Sequence, residues 1–309
     1  MIIMMVGLQG SGKSTRALEI CAARNADNEH TIILSSDHIR KSHPEWTNEQ
    51  VFSNLYMTLE SNVKLGTSVI IDATNTTVKS RKKLFRFLEQ RKLSTEVVAC
   101  VLTTPYEICV ERVKVRNEAG MEHQVPLEVL QRYLHSFEIP FLEEGFSKII
   151  LDSCPEVISC SPAKRAAVLE QMFEFDQQNL YHCHSLGTHC AYTHTYLHQA
   201  TGDYILAAAG ALHDYGKLFT QTFKPGDPNA HYYDHANVGT YKLLSNLDIL
   251  GTKMSITMTD AIEVLFFINY HMKPHYWESE KSIRRAKETF GVDKFNKLLI
   301  FNEADKARV

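Results

Sequence analysis

No stretch of this chain approaches the roughly 20 consecutive apolar residues of a membrane-spanning helix. The apolar opening, MIIMMVG, lacks a basic flank and runs straight into GLQGSGKST, so it reads as a buried first strand and not a signal peptide; no membrane partner is expected. No CxxC pair occurs among the seven cysteines, an odd number, which points to reduced thiols and a cytoplasmic setting. Cys183 and Cys190 sit among histidines, yet read as buried core thiols. Proline (9) and glycine (14) are too scarce, and apolar residues at 44% too plentiful, for a disordered or collagen-like chain. Positive charge is not in excess either. A net charge of −3 argues against gripping long duplex DNA through a basic surface, although a local basic groove stays compatible with it. What remains is a globular protein whose 309 residues suit two domains better than one.

Histidine divides the chain. Ten of the 15 histidines fall between His182 and His275, and the first 180 residues hold five scattered ones. Up to Leu151, short apolar runs (IIMMV, TIIL, SVIID, EVVACVL, KIIL) alternate with amphipathic stretches, the pattern of βα units around a parallel sheet covered by helices on both faces. Residues 152–164, with DSCPEVISCSP, read as a linker. Residues 165–309 carry apolar positions at three and four spacing and are expected to be all-α.

Gly7-x-x-x-x-Gly12-Lys13-Ser14 follows an apolar strand and precedes an amphipathic helix, the setting of a phosphate-binding loop. There Gly10, Ser11, Gly12, Lys13, Ser14 and Thr15 would cradle an NTP: backbone N–H groups face the phosphates, Lys13 neutralises their oxygens, and the Ser14 hydroxyl meets Mg²⁺. TIILSSDHIR puts Asp37, and Arg40 one turn later, at the carboxyl edge of the sheet, where ligands of open α/β sheets collect. A carboxylate there suits accepting a proton from an attacking hydroxyl, and the arginine suits an anion; a helix N-cap is the plain alternative for Asp37. Asp72 ends the strand SVIID, where it suits a Mg²⁺ water or a cationic neighbour. Arg112 and Arg116, four apart, read either as lid arginines over the phosphates or as a solvated helix face. KSRKKLFRFLEQRK, with seven basic residues and one acid, reads as a solvated face or a path for a polyanion.

Taken together, GSGKST, SSDxxR, DATN and an RN-containing lid followed by VP resemble the kinase module of end-healing polynucleotide 5′-kinases over roughly residues 1–150. The resemblance implies an α/β P-loop kinase domain in which Asp37 is the general base for a 5′-hydroxyl and Arg40 holds the phosphate on the 3′ side of the terminal nucleotide. Lys13, Arg112 and Arg116 would serve the donor, ATP or another NTP with Mg²⁺, and Asp72 would be structural. Gly120 stands where relatives often carry a second lid arginine, which leaves that part to Arg112.

In the second half the order His189, His213-Asp214, Lys217, His235, His271, Asp305 supplies imidazoles and carboxylates, donors suited to divalent first-row metals. The HD pair in AALHDYGK follows an apolar helical run, at whose end a carboxylate can bridge two ions. His194, His198 and His275 read as ordinary core or surface histidines. The plan resembles the HD phosphohydrolase superfamily over residues 173–307. That resemblance implies one metal on His189, His213, Asp214 and Asp305, a second on Asp214, His235 and His271, and Lys217 on a substrate phosphate. His182, His184 and His231 are near-site candidates. One or two of Mn, Ni, Co, Fe or Zn would be bound.

The whole chain therefore resembles a bifunctional enzyme healing nucleic acid ends, RNA or DNA and above all single-stranded or broken RNA. It would phosphorylate a 5′-OH and remove a 3′-phosphate or 2′,3′-cyclic phosphate, with a ligase acting downstream and a homo-oligomer compatible. The residues leave open a small nucleoside or sugar kinase fused to an HD nucleotidase, and a nucleotide-sensing regulatory module.

Overall fold

The computed structural model describes residues 1–120, 124–178 and 184–307 and divides the chain into two compact units. The first comprises Met1–Tyr133 and Pro140–Ser153, the second Leu134–Ile139 and Cys154–Val309. His182 and Cys183 lie outside the described residues.

In the first unit the five apolar runs become β1 (Ile2–Val6), β2 (Thr31–Ser35), β3 (Ser68–Asp72), β4 (Val97–Val101) and β5 (Lys148–Leu151). They pair in parallel in the order β2-β3-β1-β4-β5, with Ile3 opposite both Ile70 and Val98. Every residue of β1 and β4 is buried, as unbroken apolar runs in a doubly covered sheet require. The helices are α1 (Lys13–Ala26), α2 (Ser36–Ser42), α3 (Asn48–Lys64), α4 (Val78–Gln90), α5 (Tyr106–Glu118) and α6 (Leu127–His135). Capping boxes at Thr47 with Gln50 and at Thr77 with Ser80 start α3 and α4. Because the chain reverses direction around the central β1, the carboxyl ends of β1, β2 and β3 open one crevice.

A buried ion pair braces that crevice from below. Arg81 and Glu144 have fully buried side chains and meet through two bonds of 2.9 and 2.7 Å. Arg81 also donates to the carbonyl of Asn75, a residue at φ 48° whose amide donates to Met5 O. One of the seven basic residues of segment 79–92 thus belongs to the core and fixes the turn after β3.

The second unit contains β6 (Val157–Ser159), α7 (Pro162–Glu174), α8 (Leu186–Thr201), α9 (Tyr204–Gly210), α10 (Lys217–Thr220), β7 (Gln221–Phe223), β8 (Ala230–Tyr232), α11 (His235–Leu244), β9 (Ser255–Thr257), α12 (Met258–Tyr270) and α13 (Glu280–Lys306). The all-α expectation needs a correction: β6 pairs with β9 and β7 with β8, both antiparallel. Three-residue strands are too short to display alternation, and β6 lies inside the expected linker. The helical core is made by small residues. Ala207, Ala208, Ala209 and Gly210 are buried, and a Cβ on Gly210 would stand 3.1 Å from His194 N, so α9 lies directly on α8. Residues 134–139 join this unit because the Asn269 side chain bonds Ile139 N and Phe137 O, and Tyr270 Oη donates to Ile139 O.

Replacing Arg81 by Met alone strands a buried carboxylate and is expected to destabilise the first unit by about 3–5 kcal/mol. Arg81→Met combined with Glu144→Leu should recover most of the loss, as measured by chemical denaturation.

Candidate active sites

Gly12 adopts φ 91° as the residue before α1, and Gly10 adopts φ 79° where a Cβ would come within 2.5 Å of the Cys109 carbonyl. Only glycine lets this loop turn so tightly and lie against α5. Lys13 is buried and donates to Leu8 O at 2.7 Å; Ser14 Oγ donates to Asp72 Oδ2 at 2.7 Å, which ties the loop to the end of β3. Thr104 Oγ1 donates to Ser11 O, and Arg112 Nη1 to Gly10 O. Burial pushes the Lys13 ammonium down to about 8, against the opposing pull of Asp72 and Asp37. Among the described residues, three buried side-chain atoms have no hydrogen-bond partner: Gln9 Oε1, Ser11 Oγ and Arg116 Nε. All three residues line the same cavity, and two of the atoms are donors that suit phosphate oxygens. The loop thus fits an NTP, with Ser14 and Asp72 where its Mg²⁺ would be held.

Asp37 and Arg40 line that cavity too. The N-cap alternative for Asp37 fails, since Ser35 caps α2 by accepting from His38 N. Asp37 Oδ1 is bonded to Arg40 Nη1 at 2.8 Å, while Oδ2 has no partner among the described residues. Asn48 Oδ1 accepts from Arg40 Nη2. The sequence reading gave no role to Asn117, whose side chain bonds both Val125 O and Val125 N. It ties the end of α5 to the residue before Pro126, and residues 121–123, part of the expected lid, lie outside the described residues. Thr15, expected to take part in the cradle, lines the cavity on the exposed side of α1.

In the second unit the ligand atoms of His189, His213, Asp214 and Asp305, and those of Asp214, His235 and His271, converge as two groups, each within 4.8 Å. His189 projects from α8; His213 and Asp214 occupy the turn after α9; His235 opens α11; His271 caps α12; Asp305 comes from the last turn of α13. Asp214 faces both groups. Its Oδ2 lies 3.5 and 3.4 Å from the Nε2 atoms of His189 and His213, and its Oδ1 lies 3.1 and 3.7 Å from those of His235 and His271.

Backbone contacts orient the rings. Nδ1 of His213, His235 and His271 lies 2.9, 2.9 and 2.7 Å from Gly210 O, Tyr232 O and Ile268 O, so each Nδ1–H donates there and Nε2 is turned toward the other members of the cluster. Nε2 of His235 and His271 then face each other at 3.3 Å, an arrangement that a cation between them satisfies. Asp305 Oδ1 lies 3.0 and 3.1 Å from Nε2 of His189 and His213. Burial, with His213 and His235 nearby, pushes His271 down to about 3, so it is a neutral donor at physiological pH. Burial alone would raise the Asp214 carboxyl, but Lys217, His213 and His235 outweigh it and hold it well below the usual range. This donor set fits one or two divalent transition metals.

Lys217, assigned to a substrate phosphate by resemblance, has its ammonium 2.7 Å from Asp214 Oδ2 and 2.9 Å from Gln177 Oε1, a partner the sequence did not suggest. His184 and His231 belong to neither ligand group; His231 pairs with Asp227 and His184 packs on Tyr192. His194 and His275 bond Ala207 O and the Asn302 amide, and His198 stacks on His194. Cys190 is buried beside His213. Among the described residues, no helix is long and apolar enough to cross a membrane.

Residues 2–140, under half of the chain, match the family model described as AAA domain. The first unit is a P-loop kinase fold. L-seryl-tRNA(Sec) kinase from Methanococcus maripaludis is 29% identical over 144 residues, 45% of this chain and 53% of that protein. The chain thus spans about half the length of this curated relative. Among solved structures, a chain of the Pnkp1/Rnl/Hen1 RNA repair complex aligns at 22% identity and TM-score 0.37 over 43% of this chain and 42% of its own. Chaetomium thermophilum Kti12 in complex with ADP-AlF3 aligns at 18% and 0.41 over 56% and 98%. The Mycobacterium tuberculosis APS kinase CysC aligns at 14% and 0.38 over 50% and 89%.

Two predictions follow from the two sites. Nucleotide phosphates should return the Lys13 pKa upward from about 8, so ATP binding near pH 8 takes up a proton, and affinity falls as pH rises further. Calorimetry in buffers of different ionisation enthalpy measures the uptake, and Lys13→Arg should remove it. In the second unit a Cβ on Gly216 would lie 1.9 Å from the His235 carbonyl. Gly216→Ala should therefore push the turn carrying Asp214 away from α11 and reduce bound transition metal by at least one equivalent, read by elemental analysis.

Proposed function

We propose that the chain heals nucleic acid ends with two independent sites, a 5′-hydroxyl kinase in the first unit and an HD-type metal-dependent phosphohydrolase in the second. The observation that carries this reading is the coexistence, in one chain, of a phosphate cradle that shares its cavity with an Asp-Arg pair and a cluster in which one carboxylate faces two imidazole sets. Both chemistries act on phosphorus, and a broken strand presents a need for each, at opposite termini. The relative named for a seryl-tRNA substrate supports an acceptor hydroxyl attached to RNA.

In the kinase half, Lys13 and the backbone N–H groups of the loop bind the β- and γ-phosphates, with Arg112 and Arg116 over them. Asp37 uses its open oxygen to accept the proton of the 5′-hydroxyl as that oxygen bonds to the γ-phosphorus and the bond to the nucleoside diphosphate breaks. Arg40 both steers Asp37 and reaches toward the first phosphate of the acceptor. In the hydrolase half, His189, His213, Asp214 and Asp305 would hold one divalent ion, and Asp214, His235 and His271 a second. Such ions supply Lewis acidity toward a phosphate ester. The chain's own contribution is to fix ring orientation through the three backbone carbonyls and to keep Asp214 ionised through Lys217.

Asp37→Ala should reduce 5′-phosphorylation of an oligonucleotide by about 10²–10⁴-fold while leaving removal of a 3′-phosphate or 2′,3′-cyclic phosphate intact. Asp214→Ala should do the reverse. Loss of both activities in a folded single variant would end the reading of independent sites, and phosphorylation of free nucleosides in preference to oligonucleotides would favour a metabolic kinase instead.

A further inference from the structure

The cavity of the first unit measures about 1460 Å³, larger than the roughly 300–1,000 Å³ of a small-molecule pocket. Besides the phosphate loop, Asp37 and Arg40, its lining runs along α3 and α4. Phe52 and Tyr56 lie one helical turn apart on α3, with ring centroids 6.2 Å from each other, and Tyr56 stacks on Phe87 of α4 at 5.1 Å and 18°. Cations border this row. Arg40 and Lys83 each lie 6.0 Å from the Phe52 ring, and Arg91 lies 5.7 Å from that of Phe87. Lys83 and Arg86 line the cavity, are exposed, and form no ion pair among the described residues. Glu49 is the single carboxylate that α3 and α4 contribute to the lining.

Packing of α3 on α4 accounts for the contact of Tyr56 with Phe87. It does not account for two unpaired cations and a half-buried phenylalanine facing the same cavity as the phosphate cradle. A row of flat apolar rings flanked by unpaired positive charge matches a polymer of bases and phosphates, since aromatic faces take any base and the cations track the backbone. A free nucleoside or sugar would end at Arg40 and leave the row unused.

We propose that Phe52, Tyr56 and Phe87, with Lys83 and Arg86, form a track for single-stranded acceptor. The track holds the second and following nucleotides of a 5′-hydroxyl strand whose first phosphate is on Arg40. The assignment rests on the kinase reading above and deepens it: the preferred acceptor is an oligonucleotide, with specificity set by length and strandedness more than by sequence.

The test uses the full chain with ATP and Mg²⁺ and two acceptors, a nucleoside 3′-monophosphate and a single-stranded octanucleotide with a 5′-hydroxyl. In the double variant Lys83→Glu/Arg86→Glu, the ratio of kcat/KM for octanucleotide over monophosphate should fall at least tenfold, and in Phe52→Leu by about threefold or more. Both charge changes are at exposed positions, so the fold should hold, and circular dichroism checks it. Binding of a 3′-fluorescein octanucleotide, followed by anisotropy against salt, should lose one to two units of slope in the double variant. An unchanged ratio together with an unchanged slope would overturn the track and leave the aromatic row as helix packing alone. If neither acceptor is phosphorylated, the kinase reading falls, and the salt slope then decides the track by itself.

Discussion

Charge that has been taken out of water and left for a phosphate or a cation to match is the constraint on which both units depend. Lys13 is buried with a carbonyl as its hydrogen-bond partner, and burial lowers its pKa toward neutrality. Asp214 is buried with four imidazoles and one ammonium around it. Neither arrangement would persist for packing reasons, since a hydrocarbon side chain of the same volume avoids the desolvation cost. Each site is instead pre-organised for an ion of the opposite sign, and the surrounding fold supplies the stability that the site itself does not.

That supply is visible in where the small and rigid pieces sit. Below the phosphate loop, Arg81 and Glu144 hold the Asn75 turn, and Asn75 reaches back to the strand that precedes the loop. Around the imidazole cluster, Gly210 lets α9 lie on α8, which brings His213 to His189, and Gly216 meets the start of α11, which brings Asp214 to His235. Phe301 closes the cluster with an apolar wall against His213 and His271, and so ties the helix that bears Asp305 to those imidazoles. At Gly210 and Gly216, closeness of backbone to backbone through a residue without a side chain sets distances that the donor atoms then use.

Whatever is encoded locally was legible in the sequence. The five strands, the phosphate loop with its flanks, and Asp37 with Arg40 one turn later follow from periodicity and short motifs. The histidine excess announced a second site, but the grouping of its ligands came only from resemblance, because His189 and Asp305 are brought together from opposite ends of the unit by packing that no window of sequence displays. Arg81 shows the limit most clearly. It sits among six other basic residues and its partner is 63 positions away, so sequence reads it as solvated while the fold makes it core. Strand β6 was hidden because three residues carry no period, and residues 134–139 join the second unit through the side chain of Asn269, 130 positions on from Ile139. Gln177 and Asn117 were missed for a related reason: a neutral amide has no charge pattern to draw notice, and its value lies wholly in its partner.

The two units also differ in how they tolerate change, and the difference has one physical origin. The phosphate loop presents backbone N–H groups and one ammonium, so its geometry is set by dihedral angles at a few glycines and survives substitution of most neighbouring side chains. The imidazole cluster draws its six ligand residues from five separate helices or the turns at their ends, and each ring is aimed by a single carbonyl contact or by Asp305. An unwinding of the final residues of α13, past the buried Phe301, is enough to remove Asp305 from the group. For an ion held by this cluster, binding and order at the end of α13 would be linked quantities: whatever stabilises the final turn of that helix would raise affinity for the ion, and the ion would stabilise the helix by the same free energy.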